Sequence, residues 1–241
     1  MELLSSKHAQ ALQLDYRNVG DKTWIGKDFD DESINISRNL FTAQSLKNRC
    51  PDPKPLEVYA LLTGIEFPYS ITSKLKKIQN DLSKILDDSL CYFVSPKNLG
   101  LEFAVFKWPD DPWVEAWEGE VLNYLEQIHL SPFTYILQGI QINPDGCIVA
   151  RGYDNGELST VRKNLKESIS FLPSKQSNWA HIPLGRILEP VGTKKFNLLK
   201  SFINNNQDKF ITSYNVSSVK FVHETQWYME QKKVISEIKF D

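Results

Sequence analysis

The chain has 241 residues, of which 41% are hydrophobic and 24% charged, and its 28 basic and 30 acidic side chains leave a net charge of -2. This composition is typical of a globular protein and excludes a disordered tail, a coiled coil and a collagen-like fibre. The charge balance is too even for a protein that holds duplex DNA mainly by neutralising its phosphates, although it is compatible with a local basic pocket.

Three cysteines, Cys50, Cys91 and Cys147, stand at wide spacings without a pattern. Such spacing and an odd number disfavour a disulfide framework and favour a reducing compartment. The first residues lack the basic start and long apolar run of a signal peptide. No segment is apolar over the roughly 18–20 residues that span a bilayer. We therefore expect a cytoplasmic protein with no membrane contact.

Residues 1–55 differ from the rest of the chain. They are polar and weakly periodic, and they end in Pro51-Asp52-Pro53-Lys54-Pro55, with three prolines in five positions. Proline fixes φ and biases its predecessor toward extended backbone, so this segment reads as a stiff connector. The sequence predicts a polar amino-terminal arm of residues 1–55, packed on or flanking a body of residues 56–241.

Apolar spacing in the body predicts alternating strands and helices. A continuous apolar run at 58–62 indicates a buried strand, and apolar residues every three or four positions from Ile71 to Ile85 indicate a helix. The further predicted elements are a strand at 99–106, a helix with Asp111 as N-cap and Pro112 at its first position, a hairpin of 133–142 and 147–151, a helix at 158–169, a strand at 179–187, a helix capped by Thr193, and strands at 216–223 and 234–240. This order favours an α+β fold over a doubly wound parallel sheet.

Several common local motifs are absent from the sequence. It contains no Gly-x-Gly-x-x-Gly segment, no Gly-Lys-Ser/Thr loop and no Gly-x-Ser-x-Gly elbow. The four histidines lie far apart without the spacing of a zinc site. We therefore expect no metal and no cofactor.

Two segments carry a resemblance to a known superfamily: 96–106, Pro-Lys-Asn-Leu-Gly-Leu-Glu-Phe-Ala-Val-Phe, and 180–187, Ala-His-Ile-Pro-Leu-Gly-Arg-Ile. Together with the order of elements over 57–240, they are similar to the 2H phosphoesterases, which include 2'-5' RNA ligase-like and RNA 2',3'-cyclic phosphodiesterase proteins. Members carry His-x-Thr/Ser on each of two equivalent strands. The resemblance implies a pseudo-duplicated body of two lobes, each a mainly antiparallel sheet with helices outside, and a central cleft.

The chemistry of that motif follows from strand geometry. Residues i and i+2 of a strand face the same way, so each strand offers an imidazole and a hydroxyl to the same cleft. Two such strands place one imidazole as base at the attacking oxygen and the other as acid at the leaving oxygen.

This sequence departs from the motif at three of its four positions. Gly100 and Glu102 stand where the first histidine and hydroxyl are expected, and Pro183 replaces the second hydroxyl, while His181 is retained. A register shifted by two along the first strand also leaves no histidine there. We predict that the catalytic residues are His181 and Glu102, with the carboxylate as base and the protonated imidazole as acid. The alternative is that neither residue takes part in catalysis: His181 then lies at the lobe interface, and Glu102 is a solvated carboxylate.

Further residues are candidates for ligand binding. Arg186 could bind a phosphate or carboxylate, or pair with an acid such as Glu102. Tyr228 could stack a base, and His223 could line the cleft from a late strand, although packing is the commoner role of such residues. The aromatic segment Trp108–Trp113, with Trp117, looks like a surface platform, but helix capping and core packing explain most of it.

Three functional hypotheses remain open at this point. The first is a protein whose cleft binds a nucleotide, cyclic phosphate or RNA end, with weak or altered phosphodiesterase chemistry. The second is a catalytically inactive 2H-like module that binds a protein partner through its amino-terminal arm. The third is an enzyme acting on a non-phosphate ester, which the negative charge of Glu102 would tolerate better. Whether the protein is an enzyme is thus undecided by sequence.

Overall fold

The structure is a computed structural model that describes residues 3–241. In chain order its main elements are α1 (Lys7–Thr23), α2 (Asp31–Arg38), α3 (Ala43–Lys47), β1 (Pro55–Gly64), α4 (Tyr69–Leu86), β2 (Cys91–Phe93), β3 (Gly100–Lys107), α5 (Glu115–Gln127), β4 (Phe133–Ile142), β5 (Cys147–Tyr153), α6 (Glu157–Ser168), β6 (Ile182–Ile187), α7 (Thr193–Asn206), β7 (Phe210–Val216), β8 (Ser218–Gln226) and β9 (Gln231–Lys239). Short 3-10 turns occupy Leu3–Ser5, Pro96–Asn98 and Trp227–Met229. No helix in this part of the chain is long and apolar enough to cross a membrane.

The strands form two antiparallel sheets. The first sheet has the order β3-β1-β8-β9, and the second has the order β2-β6-β5-β4-β7. Every pairing between neighbouring strands is antiparallel. The predicted α+β class and the two-sheet architecture with helices packed against the sheets are confirmed.

Strand β1 shows how alternation separates the core from the cleft. Tyr59 and Leu61 point into the main hydrophobic core. Val58, Ala60 and Leu62 point the other way, into a smaller apolar cluster at the cleft between the sheets. The strand reads as a continuous apolar run because both of its faces are buried.

Helix α4 confirms the stripe predicted from its sequence. Ile71, Leu75 and Leu82 lie on its buried face, as spacings of three and four require. Helix α5 begins later than predicted, at Glu115. Asp111 does not cap it, because the Asp111 carboxylate accepts a hydrogen bond from the Trp108 amide at 3.1 Å and closes a separate turn.

Three strand predictions need correction. Strand β6 begins at Ile182, after the predicted start at residue 179. Strand β7 was not predicted, because this edge strand mixes exposed, partly buried and buried positions and lacks a clear apolar alternation. Strand β2 was also missed, since three residues carry too little periodicity to be recognised. For α7 the first helical residue is Thr193, and Gly192 takes the cap position instead.

The amino-terminal arm folds into α1, α2 and α3 and packs on the body. The Tyr16 side chain of α1 is fully buried, and its hydroxyl accepts a hydrogen bond from the Ala180 amide at 3.1 Å. Thr23 donates from its hydroxyl to the Ile142 carbonyl at 2.8 Å. The boundary near residue 55 stays a prediction, because residues of the arm join the same hydrophobic core as the body.

Candidate functional site

A cavity of 390 Å³ opens between the two sheets. Strands β1, β3 and β8 line it from the first sheet and β5 and β6 from the second. The arm supplies Ile36 and Leu40 to its wall, and Trp108, Trp179 and Trp227 supply aromatic surfaces. The cavity is thus largely apolar, with a small set of polar groups, as is usual for a small-molecule site.

All four positions that the sequence comparison matched to the 2H motif line this cavity. Gly100 and Glu102 face it from β3. Pro183 faces it from β6, and His181 faces it from the position just before β6 begins. The alternation of side chains along each strand brings each pair to the same side. A Cβ added to Gly100 would meet the Thr63 carbonyl oxygen at 3.3 Å, so that position accommodates a side chain after a small adjustment.

His181 is held neutral by its surroundings. Its Nδ1 is buried, and no group within residues 3–241 is placed to hydrogen-bond with it. Burial, together with the positive charges of Arg162 and Arg186, lowers the pKa of His181 to about 4, against the opposing charge of Asp145. At neutral pH the imidazole can therefore accept a proton.

Two carboxyl groups share the cavity. Burial raises the pKa of Glu102, against the opposing charge of Arg162. Burial and the neighbouring Glu102 carboxyl group together raise the pKa of Glu224 to about 7, although the Met229 amide donates to its carboxylate at 2.8 Å. A substantial fraction of Glu224 is thus protonated at neutral pH.

These shifts favour a different assignment of base and acid from the one that the sequence suggested. A neutral His181 can accept a proton, and the raised pKa of Glu102 favours the protonated form, which can donate one. The predicted roles, with Glu102 as base and the protonated imidazole of His181 as acid, run against the direction of both pKa shifts. The physical reason is the low polarity of the cavity, which disfavours the charged form of both residues.

Strand β8 contributes Glu224 to the cavity, and not the predicted His223. Successive side chains of a strand point to opposite faces, so His223 lies on the far side of the first sheet. There its ring stacks on Tyr59 with centroids 4.4 Å apart, and its Nε2 lies 3.5 Å from the Glu57 carboxylate. The sequence marked this strand correctly but selected the residue one position too early.

Arg186 lines the cavity with its charge already paired. Its Nη1 donates to the Asp145 carboxylate at 2.6 Å and to the Ser37 hydroxyl at 2.9 Å. Its Nε donates to the Tyr228 hydroxyl at 2.7 Å. The acid that pairs with Arg186 is therefore Asp145, from the turn between β4 and β5, and not Glu102.

Tyr228 lies in the cavity wall within a strained turn. Its φ is +64° and that of Met229 is +57°, a region that residues other than glycine seldom adopt. The Tyr228 ring packs against Tyr92 and Phe41, with centroids 5.0 and 6.0 Å away. These contacts give Tyr228 a packing and hydrogen-bonding role.

Arg162, which the sequence did not indicate, ties the two halves of the site together. From α6 its Nη2 donates to the Glu102 and Trp179 carbonyls, both at 2.8 Å, and its Nε donates to the Phe103 carbonyl at 2.9 Å. One guanidinium thus fixes the backbone of β3 beside Glu102 and the segment that leads to His181. A single arginine in a helix carries no local signal for such a role.

In the described part of the chain, no group of three or more His, Cys, Asp or Glu side chains is placed to hold a metal ion. Cys147 lines the cavity, but burial raises its pKa to about 11. It is therefore a thiol at neutral pH and a poor nucleophile.

No family model matches the chain, and no curated protein matches it by sequence. Solved structures share its fold. The protein TT0787 of Thermus thermophilus superposes with a TM-score of 0.54 at 16% identity, covering 76% of this chain and 97% of that one. E. coli LigT in complex with ATP gives a TM-score of 0.54 at 14% identity, covering 78% and 99%. The chain has a LigT-like fold. A protein described as a phosphoesterase gives 0.54 at 14% identity, covering 76% and 98%.

The resemblance to the 2H phosphoesterases predicted from the sequence is thereby confirmed at the level of the fold. The two-lobed α+β architecture of this LigT-like chain is confirmed with it. Both segments that carried the resemblance contribute residues to the cavity, in β3 and around β6.

Proposed function

We propose that the cavity binds a nucleotide, a cyclic phosphate or an RNA end, and that the protein hydrolyses a phosphodiester slowly through altered acid–base chemistry. The observation that carries the proposal is the convergence of all four motif positions on one cavity, where His181 is the retained acid–base group. The LigT-like fold supports the same class of ligand, since E. coli LigT has been crystallised with ATP.

The proposed hydrolysis uses His181 and Glu102 in the protonation states that the cavity favours. The neutral imidazole of His181 takes a proton from a water molecule as the water oxygen bonds to phosphorus. The ring P–O bond breaks, and protonated Glu102 donates its proton to the leaving ribose oxygen. Both proton transfers are general acid–base steps, each worth about 10²–10⁴-fold. The product is a phosphomonoester.

Charge explains why turnover is slow. An ionised Glu102 or Glu224 repels an anionic phosphate by roughly 1 kcal/mol at 4 Å in water and several-fold more in a dry cavity. Asp145 offsets the charge of Arg186, so the cavity holds little free positive charge. Phosphate binding and turnover are therefore expected to improve as pH falls, because a larger fraction of Glu102 and Glu224 is then in the neutral form that the proposed chemistry uses.

The test compares the protein with three variants on a panel of 2',3'-cyclic nucleotides and 2'-5'-linked oligonucleotides. His181→Ala and Glu102→Gln each remove one proposed proton-transfer group. His129→Ala is the matched control, because His129 is an exposed histidine that pairs with Asp241 at 2.9 Å outside the cavity. Slow turnover that His181→Ala abolishes and His129→Ala leaves intact is the expected result.

Other outcomes discriminate the alternatives. A thermal shift with nucleotides but no turnover would identify a binding protein without catalysis. No turnover and no thermal shift with any nucleotide would refute the proposal. The alternative of an inactive module that docks a protein partner through its arm gains no support from the contacts, since Tyr16 and Thr23 bind the arm to the body. A cytoplasmic location stays a proposal, supported by the free thiols of Cys50, Cys91 and Cys147.

A further inference from the structure

Two residues of the cavity wall carry a buried polar side-chain atom that has no hydrogen-bond partner within residues 3–241. They are His181, through Nδ1, and Asn98, through Nδ2. Asn98 is only 3% exposed, so bulk solvent is a poor partner for its amide. A buried N–H group without a partner destabilises a protein, and a ligand that accepts a hydrogen bond from it removes that cost. The Asn98 amide is therefore a candidate contact for a ligand in the cavity.

Lys232 fixes the orientation of the Asn98 amide. The Lys232 ammonium donates to Asn98 Oδ1 at 2.8 Å and to the Met229 carbonyl at 3.0 Å. Because an ammonium group only donates, it selects the amide oxygen and leaves the Nδ2 group of Asn98 on the other side. The positive charge on Oδ1 also polarises the amide, which makes the Nδ2–H bonds stronger donors. Asn98 is thus held as a hydrogen-bond donor.

Asn98 stands next to the motif positions of the first sheet. It directly precedes β3, two residues before Gly100 and four before Glu102, and all three residues line the cavity. Leu99 and Leu101 point into the main hydrophobic core, and Gly100 has no side chain. Asn98 and Glu102 therefore carry successive side chains along this side of the chain.

The hydroxyl groups of the 2H motif, which would donate to the non-bridging oxygens of a phosphate, are replaced in this chain. Pro183 has no donor, and Glu102 is assigned to the leaving oxygen in the proposed hydrolysis. Arg186 is already paired with Asp145. An amide N–H fixed in the wall can donate to a phosphate oxygen without adding a titrating charge, and Asn98 carries such a group.

We propose that Asn98 binds the ligand through a hydrogen bond from Nδ2 to a non-bridging oxygen of the phosphate, with Lys232 as its positioning residue. The inference rests on the proposed function and deepens it, because it assigns the donor that holds the phosphate. A donor that is fixed before the reaction also stabilises negative charge that develops on those oxygens. A hydrogen bond to a charged group corresponds to about 10- to 100-fold in affinity.

Calorimetric titration with 2',3'-cyclic AMP tests the contact. Asn98→Ala removes the donor and should weaken binding about 10- to 100-fold. Asn98→Asp keeps the shape of the side chain and an acceptor for Lys232, but it replaces the donating group by an oxygen and should weaken binding at least as much. Asn80→Ala is the matched control, because Asn80 is an exposed asparagine of α4 outside the cavity, and it should leave the affinity unchanged. Thermal melting identifies a variant that fails to fold.

NMR of the side-chain amides gives a readout that a purely structural role would not move. In the wild-type protein the Nδ2 protons of Asn98 should shift downfield when 2',3'-cyclic AMP is added and should not shift with adenosine, which lacks the phosphate. In Lys232→Met the amide is free to turn, so the shift should be smaller. This measurement on the wild-type protein keeps the test decisive if the Asn98 variants do not fold.

The outcomes separate this contact from the proposed function. Unchanged affinity of Asn98→Ala for 2',3'-cyclic AMP would overturn the assignment, and so would an equal shift of the Asn98 amide with adenosine. Neither result alters the proposed function if the wild-type protein still binds and hydrolyses the cyclic nucleotide. An undiminished shift in Lys232→Met would remove the role of Lys232. Failure of the wild-type protein to bind any nucleotide would remove the proposed function and this contact with it.

Discussion

Glu224 provides a test of how well the cavity excludes water, because it is a buried carboxyl group that destabilises the folded protein to an extent that depends on pH. Its side chain is only 4% exposed, and burial raises its pKa from 4.5 to about 7. The native state therefore binds a proton that the unfolded state releases between these two values, so stability falls as pH rises through this window. One pKa unit corresponds to about 1.4 kcal/mol, which gives a loss of about 3 kcal/mol above the native pKa.

Glu224→Gln should abolish this loss. Glutamine keeps the oxygen that accepts the Met229 amide and stays neutral at every pH. The variant is expected to differ from wild type by less than about 1 kcal/mol near pH 5 and to be about 3 kcal/mol more stable at a pH of about 8.5. The informative quantity is how much the stability difference between variant and wild type changes from one pH to the other, because the effects of other titrating groups cancel in it.

Urea denaturation of both proteins at the two pH values measures this difference. Glu120→Gln is the matched control, since Glu120 is an exposed glutamate of α5 and its substitution should change stability equally at both pH values. An identical effect of Glu224→Gln at acidic and alkaline pH would refute the reasoning, because it would mean that Glu224 ionises without a penalty. The cavity would then be wetter than its lining indicates.

Three further predictions concern the site and the arm. Gly100→His combined with Glu102→Thr restores one motif and should raise 2',3'-cyclic nucleotide hydrolysis by about 10²–10⁴-fold in a coupled assay, and no gain would argue against the cleft as a reaction site. NMR titration of His181 should give a pKa of about 4, whereas a value near that of an exposed histidine would contradict its burial. Tyr16→Phe leaves the Ala180 amide without its partner and should lower the free energy of unfolding by about 1–3 kcal/mol in chemical denaturation, and an unchanged value would show that the arm is not anchored there.

The sequence predicted those elements whose pattern is local. The helix from Ile71 and the strand around Val58 have enough apolar residues at regular spacing to be recognised without tertiary information. The start of α5 was wrong because Asp111 bonds within a turn, a choice that depends on geometry between neighbouring segments. The edge strand β7 was missed because exposed positions carry weak alternation.

The residues of the candidate site differ in the same way: some are recognised from a local sequence pattern, and others only from contacts between distant parts of the chain. Glu102 and His181 were found because each belongs to a short motif on a strand, and strand alternation orients it. Glu224 and Arg162 were not found, since neither belongs to a motif. Their roles arise from contacts across long stretches of chain, such as the hydrogen bond from Arg162 to the Glu102 carbonyl.

By itself, the sequence determined an α+β chain and the two segments compared with the 2H motif, in which only His181 matches, since these depend on residue identity and short spacing. The tertiary structure decided which groups share the cavity and in which direction their pKa values shift. It paired Arg186 with Asp145, turned His223 away from the cleft and placed the partly buried His181 and Glu102 where their charged forms are disfavoured. A pKa and a charge pairing depend on every group within a few ångströms, and only folding brings those groups together.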